Sequence, residues 1–385
     1  MTTLELQNEH GVTIAKRRSA SSLLRGEEPY ARLLHEVLIE ARRRGASDVH
    51  FEPGEHGLDI RLRVDGSLLL YKSVPREHRD SLVLAAKRVF QLKIGVSGKA
   101  QDERTSLPEM RLDLRVSLLP TFHGEKIVLR LLDLDSDFDL AALGFFAPER
   151  KMIEEAIALE NGVVVVSGPT GSGKTRTLYA LLKALGPTRF NIVTLEDPIE
   201  YRLEGLNQVQ VSAKFSFADT LRSVLRQDPD VILVGEVRDA ETAKLCFQAA
   251  ETGHLVLTTL HANGAAQVVE RLAGLGVDGT ALLNTLRFSI AQRLEPRLCA
   301  GCARPVSDQE REWFFARDRR KKPSLDGLKA RGGGCSLCEA GIRGRVPLVE
   351  WATPEGTKIQ VRQTLFEAKL FRALKGEIDC REVMR

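Results

Sequence analysis

The stretch Val163-Val-Val-Val166-Ser-Gly168-Pro-Thr-Gly-Ser-Gly173-Lys174-Thr175 decides how this chain is read. Four consecutive β-branched residues make the short apolar run of a fully buried strand. Glycines at 168, 171 and 173 interrupt it, and Leu178, Leu181 and Leu182 then recur at helical spacing. Strand, loop and helix in that order give G-x-x-x-x-G-K-T the context it requires. Glycine lets successive backbone N–H groups converge on an anion, and a helix starting at Lys174 adds its positive dipole end. Gly168, Pro169, Thr170, Gly171, Ser172, Gly173, Lys174 and Thr175 are therefore a candidate nucleotide cradle. Lys174 is placed to reach the β- and γ-phosphates of ATP, and the Thr175 hydroxyl to bind Mg²⁺. The competing reading is a glycine-rich turn with no ligand.

Further apolar runs at 192–195, 231–234 and 255–260 alternate with helical patterns, which predicts buried parallel strands and an α/β, RecA-like fold. The run Asp230-Val-Ile-Leu-Val-Gly235-Glu236 resembles a Walker B strand in which Gly235 replaces the usual metal-binding aspartate. Glu236 is the candidate general base or water-orienting group. The magnesium shell then needs a carboxylate from elsewhere, and Leu195-Glu196-Asp197-Pro198-Ile199-Glu200 offers three, Glu196 first. Helix capping or surface pairing is the alternative for Asp197 and Glu200. His254 and His261 bracket the run 255–260, either as structural histidines or as reporters of γ-phosphate loss.

The N-terminal third reads differently. Leu33, Leu34, Val37, Leu38 and Ala41 predict a helix that Gly45 stops. Ile60, Leu62 and Val64 alternate with arginines before Asp65-Gly66, a hairpin signal, and 112–118 repeats that alternation. Residues 76–94 have helical character between them. A small α+β, PAS-like domain over 29–133 follows, its sheet greasy on one face and arginine-bearing on the other. Residues 1–28 read as a loosely ordered arm, 134–140 as an exposed acidic linker, and 141–385 as the ATPase domain, ending in C-terminal helices.

With 385 residues, two cores are expected. A formal charge of +4 from 56 basic and 52 acidic residues is too even to argue for nucleic acid. No apolar run is long enough to span a membrane, and Met1–Arg18 lacks a secretory segment, so a cytoplasmic chain is expected. Four of the six cysteines pair as Cys299-x-x-Cys302 and Cys335-x-x-Cys338, which in a reducing compartment predicts a closed, structural Zn²⁺ site within a module spanning 297–342. Arg317-Asp-Arg-Arg-Lys-Lys322 inside that module is either a solvated surface or a patch for acidic phospholipid.

Together, GPTGSGKT, TLEDPIEY, LRSVLRQDPDVILVGEVRD and TGHLVLTTLHAN resemble the secretion-superfamily ATPases, specifically the general secretion pathway E and type IV pilus-assembly motors. Gly45-Ala-Ser-Asp-Val-His-Phe-Glu-Pro is similar to the family's second N-terminal domain. The resemblance implies that this domain closes over ATP and supplies Arg115 and Arg130. It further implies nucleotide-site roles for Arg222, Arg226, Arg238 and Arg271, some of them across subunits of a homo-hexamer. It implies a motor peripheral to the inner membrane, partnered by a platform protein and by the cytoplasmic part of a docking protein, that powers type II secretion or pilus assembly. A nucleic-acid translocase is the alternative reading, because RecA-like cores and zinc modules occur there too.

Overall fold

The computed structural model describes residues 5–7, 13–15, 19–24, 28–96, 98–134, 138–212, 215–315 and 326–384. The chain divides into two compact units, Met1–Ser136 and Asp137–Arg385.

In the first unit the described residues form a six-stranded antiparallel sheet. Its order is Ser67–Pro75, Gly57–Val64, Asp48–Pro53, Gly124–Asp133, Leu112–Thr121 and Gln101–Leu107. Asp65 and Gly66 both take positive φ, as a two-residue turn matching the strand twist requires. Along Leu112–Thr121 burial alternates, sending Leu112, Leu114, Val116 and Leu118 into the core and leaving Arg115 outside. Helices Pro29–Arg43 and Arg76–Val89 cover the apolar face through Leu34, Val37, Leu38, Leu82 and Val83.

The expected loose arm is corrected in two places. Residues 5–7 and 13–15 pair as an antiparallel ladder, and helix Ala20–Leu24 buries Ala20 and Leu24 in the first unit's core. Five residues are too few for periodicity to reveal a helix. The basic cluster Lys16–Arg18 and the run 317–322 lie outside the described residues, as does most of the acidic stretch at 135–137. Phe138 is not part of an exposed linker: it is buried in the second unit, edge-on to Tyr179 and Tyr201 with ring centroids 5.4 and 5.1 Å away.

In the second unit the described residues form an eight-stranded sheet. Its order is Asn207–Gln210, Ile192–Glu196, Val231–Val234, Leu255–Leu260, Gly162–Ser167, Leu286–Leu298, Ile342–Glu355 and Lys358–Gln363. The first six are mutually parallel and the last two turn antiparallel. Helices cover both faces, as a parallel sheet demands. Helices were expected at the C-terminal end. Instead Ile342–Glu355 and Lys358–Gln363 extend the sheet before the single helix Leu365–Leu374. The apolar segment Val346–Val349 gave no period that separates strand from helix.

Arg372, 2% exposed, ties that helix to the start of the unit. Its guanidinium donates to the carbonyls of Pro347 (3.1 Å) and Gly144 (2.7 Å) and to the carboxylates of Glu377 (2.7 Å) and Glu149 (3.5 Å). It also lies 3.8 Å from the centroid of the Phe146 ring. Breaking a buried pair strands the other charge, so Arg372→Ala should cost about 3–5 kcal/mol, read as a lower midpoint in urea unfolding of this unit. Asp379 supplies a pH signature. Burial pushes its carboxyl up, but hydrogen bonds from Arg381 and from the Arg331 and Arg381 N–H groups outweigh this and hold it at about 2. A folded value below the unfolded one adds stability above pH ~4 that is lost as pH falls toward 2. Asp379→Asn should therefore lose about 2 kcal/mol at pH 7 and show a shallower acid decline, followed by fluorescence.

Candidate nucleotide site and cysteine cluster

Parallel strands deliver their loops to one edge, which is where open α/β sheets bind ligands. Ser167, Glu196, Val234 and Leu260 end adjacent strands there, so the cradle, Asp197, Gly235–Glu236 and His261 emerge side by side. Helix Lys174–Leu185 starts at Gly173 with φ +87° and no side-chain cap. By contrast, Ser216, Asp239 and Asp278 cap the helices that follow them. The first-turn N–H groups of the cradle helix are thus left for an outside acceptor. Ser172 Oγ is likewise buried without a partner among the described residues, another donor that suits an anion.

Lys174 Nζ donates to the carbonyls of Gly168 (2.7 Å) and Pro169 (3.1 Å), which folds it across the loop. Burial depresses its basicity, and the carboxylates of Glu236 and Glu200 push it back up. Glu236 is held at the strand end by Arg238 Nε (2.8 Å) and by His261 Nε2 (3.1 Å). Arg271 and His261 line a cavity of about 650 Å³ together with Gly168, Pro169, Asn263 and Glu270. Thr175 is half-buried in the first helical turn.

Two expectations are corrected. Glu196, first choice for the magnesium shell, is 4% exposed and already engaged. It accepts from Thr194 (2.6 Å), Gln208 (3.1 Å) and the Tyr179 hydroxyl, while in the same Glu196–Glu200 segment it is Glu200 whose carboxylate acts on Lys174. His254 lies at the other end of its strand from His261, with Nδ1 at 2.8 Å from the Ala249 carbonyl oxygen, so the two do not meet at one phosphate. Arg222 and Arg226 are exposed, Arg222 paired with Asp219 and Glu241 and Arg226 bonded to the Arg222 carbonyl.

In the first unit, Arg115 stands opposite Arg130 and also opposite Arg104 across the ladder. Arg130 is opposite Asp48 and bonds it at 3.1 Å, with Asp48 side chain only 9% exposed. On the outer sheet face Arg104, Arg115 and Arg130 thus stand in one row with Asp48, and further along Asp48's strand Glu52 pairs with Arg61 and Lys126.

Two residues of the second unit escaped the sequence reading. Tyr179 binds Glu196, and Gln292 binds the cradle from the neighbouring strand. The available signal was one polar residue inside an apolar run: Tyr179 amid Leu178, Ala180, Leu181 and Leu182, and Gln292 after Ile290-Ala291.

Cys299, Cys302, Cys335 and Cys338 converge, their sulfur atoms all within 4.8 Å of one another. Neighbouring sulfurs stand 3.8, 3.6 and 3.7 Å apart. A tetrahedron with ~2.3 Å zinc–sulfur bonds has edges of about 3.8 Å, so the four thiols fit Zn²⁺ without rearrangement. Cys246 and Cys380 are buried and lie outside the cluster.

The Type II/IV secretion system protein family model matches residues 24–376. The chain is 42% identical over 347 residues to the type IV pilus assembly ATPase PilB of Acinetobacter baylyi, covering 87% of this chain and 60% of that protein. It is 43% identical over 331 residues to the type II secretion system protein E of Pseudomonas aeruginosa, covering 84% and 65%. It thus spans less than two thirds of the length of these relatives. In fold it is similar to the ATPase DotB of Legionella pneumophila, with a TM-score of 0.67 at 23% identity, covering 91% of this chain and 94% of that one. Among the described residues no helix is long and apolar enough to cross a membrane. The chain belongs to the type II/IV secretion system protein family.

Proposed function

We propose that this protein hydrolyses ATP at the Gly168–Thr175 cradle and is the motor of a type II secretion or type IV pilus-assembly machine. The observation that carries the reading is Glu236, fixed by Arg238 and His261 at the strand edge and electrostatically coupled to Lys174. Lys174 exchanges the Gly168 and Pro169 carbonyls for β- and γ-phosphate oxygens, trading two neutral acceptors for charged ones. Glu236 orients and deprotonates the attacking water, and Arg238 and His261 keep its carboxylate aimed. Magnesium, when bound, neutralises charge on the phosphates, with Thr175 as its protein ligand and Glu200 in place of Glu196 as the nearby carboxylate. Arg271 and His261, on the cavity wall, meet the terminal phosphate.

Arg115 and Arg130 on the first unit, and Arg222 and Arg226 on the second, supply further guanidinium groups within a homo-hexamer. The cysteine cluster holds structural zinc. A platform protein and a docking protein at the inner membrane are the partners, with the motor on the cytoplasmic side. The relatives named above are secretion and pilus proteins, and nothing in the structure favours the nucleic-acid translocase.

Glu236→Gln keeps the size and an acceptor for Arg238 but removes the base. Phosphate release should fall by about 100-fold or more while the Kd for a fluorescent ATP analogue stays within about threefold. Near-normal turnover by this variant would sink the mechanism. The purified chain should carry one zinc per molecule by elemental analysis, and Cys302→Ser should lose the metal and lower the thermal midpoint.

A further inference from the structure

The signature loop is shaped by a residue outside the motif. Gln292 is 2% exposed on strand Leu286–Leu298, whose Ala291 pairs with Ser167, so the next residue lies directly under the loop. Its Nε2 donates to the Ser172 carbonyl at 2.8 Å. Its Oε1 accepts from Thr177 Oγ1 at 2.8 Å, and that second bond sets which end of the amide faces the loop. Both outer glycines of the motif rest on the same residue. A Cβ at Gly168 would come 2.2 Å from the Gln292 carbonyl oxygen, and one at Gly173 2.8 Å from Gln292 Nε2.

A trans peptide directs its C=O and N–H to opposite sides. Drawing the Ser172 carbonyl toward Gln292 therefore turns the Gly173 N–H the other way, into the loop. Among the described residues that N–H has no protein acceptor.

The geometry points to Gln292 as a positioning residue for phosphate binding: with Thr177 it locks the Ser172–Gly173 peptide so that the Gly173 N–H faces a nucleotide polyphosphate. This rests on the nucleotide reading of the cradle. The residue acts through the loop backbone and does not itself touch the ligand.

The informative variant is Gln292→Glu, almost the same shape but unable to donate when ionised. A carboxylate beside the Ser172 carbonyl repels it and favours the flipped peptide. Burial raises the introduced carboxyl's pKa, so mild acid restores a donor. In the full chain, displacement of a fluorescent ATP analogue by ATP should be about tenfold weaker for Gln292→Glu than for wild type at pH 8. The deficit should narrow at pH 5.5, with wild type measured at each pH as reference. Thr177→Val frees the amide to rotate and should weaken ATP by about threefold, with a melting temperature near wild type. A merely structural role for Gln292 predicts that any deficit at pH 8 tracks loss of folded protein, read as a lowered melting temperature at that pH.

Wild-type affinity for Gln292→Glu at pH 8, or a deficit equal at both pH values, overturns the proposal. If that variant does not fold, Thr177→Val decides: weakened ATP binding by a normally folded protein supports the proposal, and unchanged affinity overturns it. A wild-type chain that binds no ATP overturns the nucleotide reading itself, an outcome distinct from wild type binding and Gln292→Glu binding equally well.

Discussion

A helix that starts without a side-chain cap leaves its first N–H groups facing whatever lies beyond, and Lys174–Leu185 starts that way at Gly173. The cradle itself offers spare donors. Ser172 Oγ is buried and unpartnered, and Lys174 satisfies itself on two loop carbonyls. The loop is braced from the neighbouring strand by Gln292 and its helix from the opposite side by the Tyr179–Glu196 bond. A rigid cradle with spare donors is what anion binding needs, because the ordering has been done before the ligand arrives.

The acidic residues near this edge divide by environment. Glu196 is buried inside a ring of hydroxyl and amide donors, which holds the end of its strand against the cradle helix. Glu236 is less enclosed and shared between a guanidinium and an imidazole. Glu200 raises the basicity of Lys174 through its charge. Three carboxylates close in sequence or in space thus have three settings, and the setting assigns the task.

Strand Leu286–Leu298 links two sites in one unit. It lies beside the cradle at Ala291 and Gln292, then continues in an antiparallel pair with Ile342–Glu355 to Cys299. A small hydrophobic cluster around Phe314, Leu328, Ala330 and Ile378 lies near its far end. A core of that size holds a module weakly by itself, and four thiols placed for zinc are the usual remedy. Arg372 adds a buried ionic tie between the last helix and residues 144–149.

The chain's local chemistry was legible residue by residue. The apolar runs at 163–166, 192–195, 231–234 and 255–260 are strands because buried parallel strands need unbroken hydrophobic sequence, and the glycine spacing at 168–173 names its own loop. The paired cysteines announced their cluster in the same way. What only the tertiary structure decided were relations across the sheet. The extended strand Leu255–Leu260 holds His254 and His261 at opposite ends, burial removes Glu196 from the open edge, and register brings Gln292 under Gly173 from more than a hundred residues away. Spacing along a chain encodes periodicity and local turns, whereas which polar side chain meets which loop depends on how strands are ordered, and a single sequence does not carry that order in any local pattern.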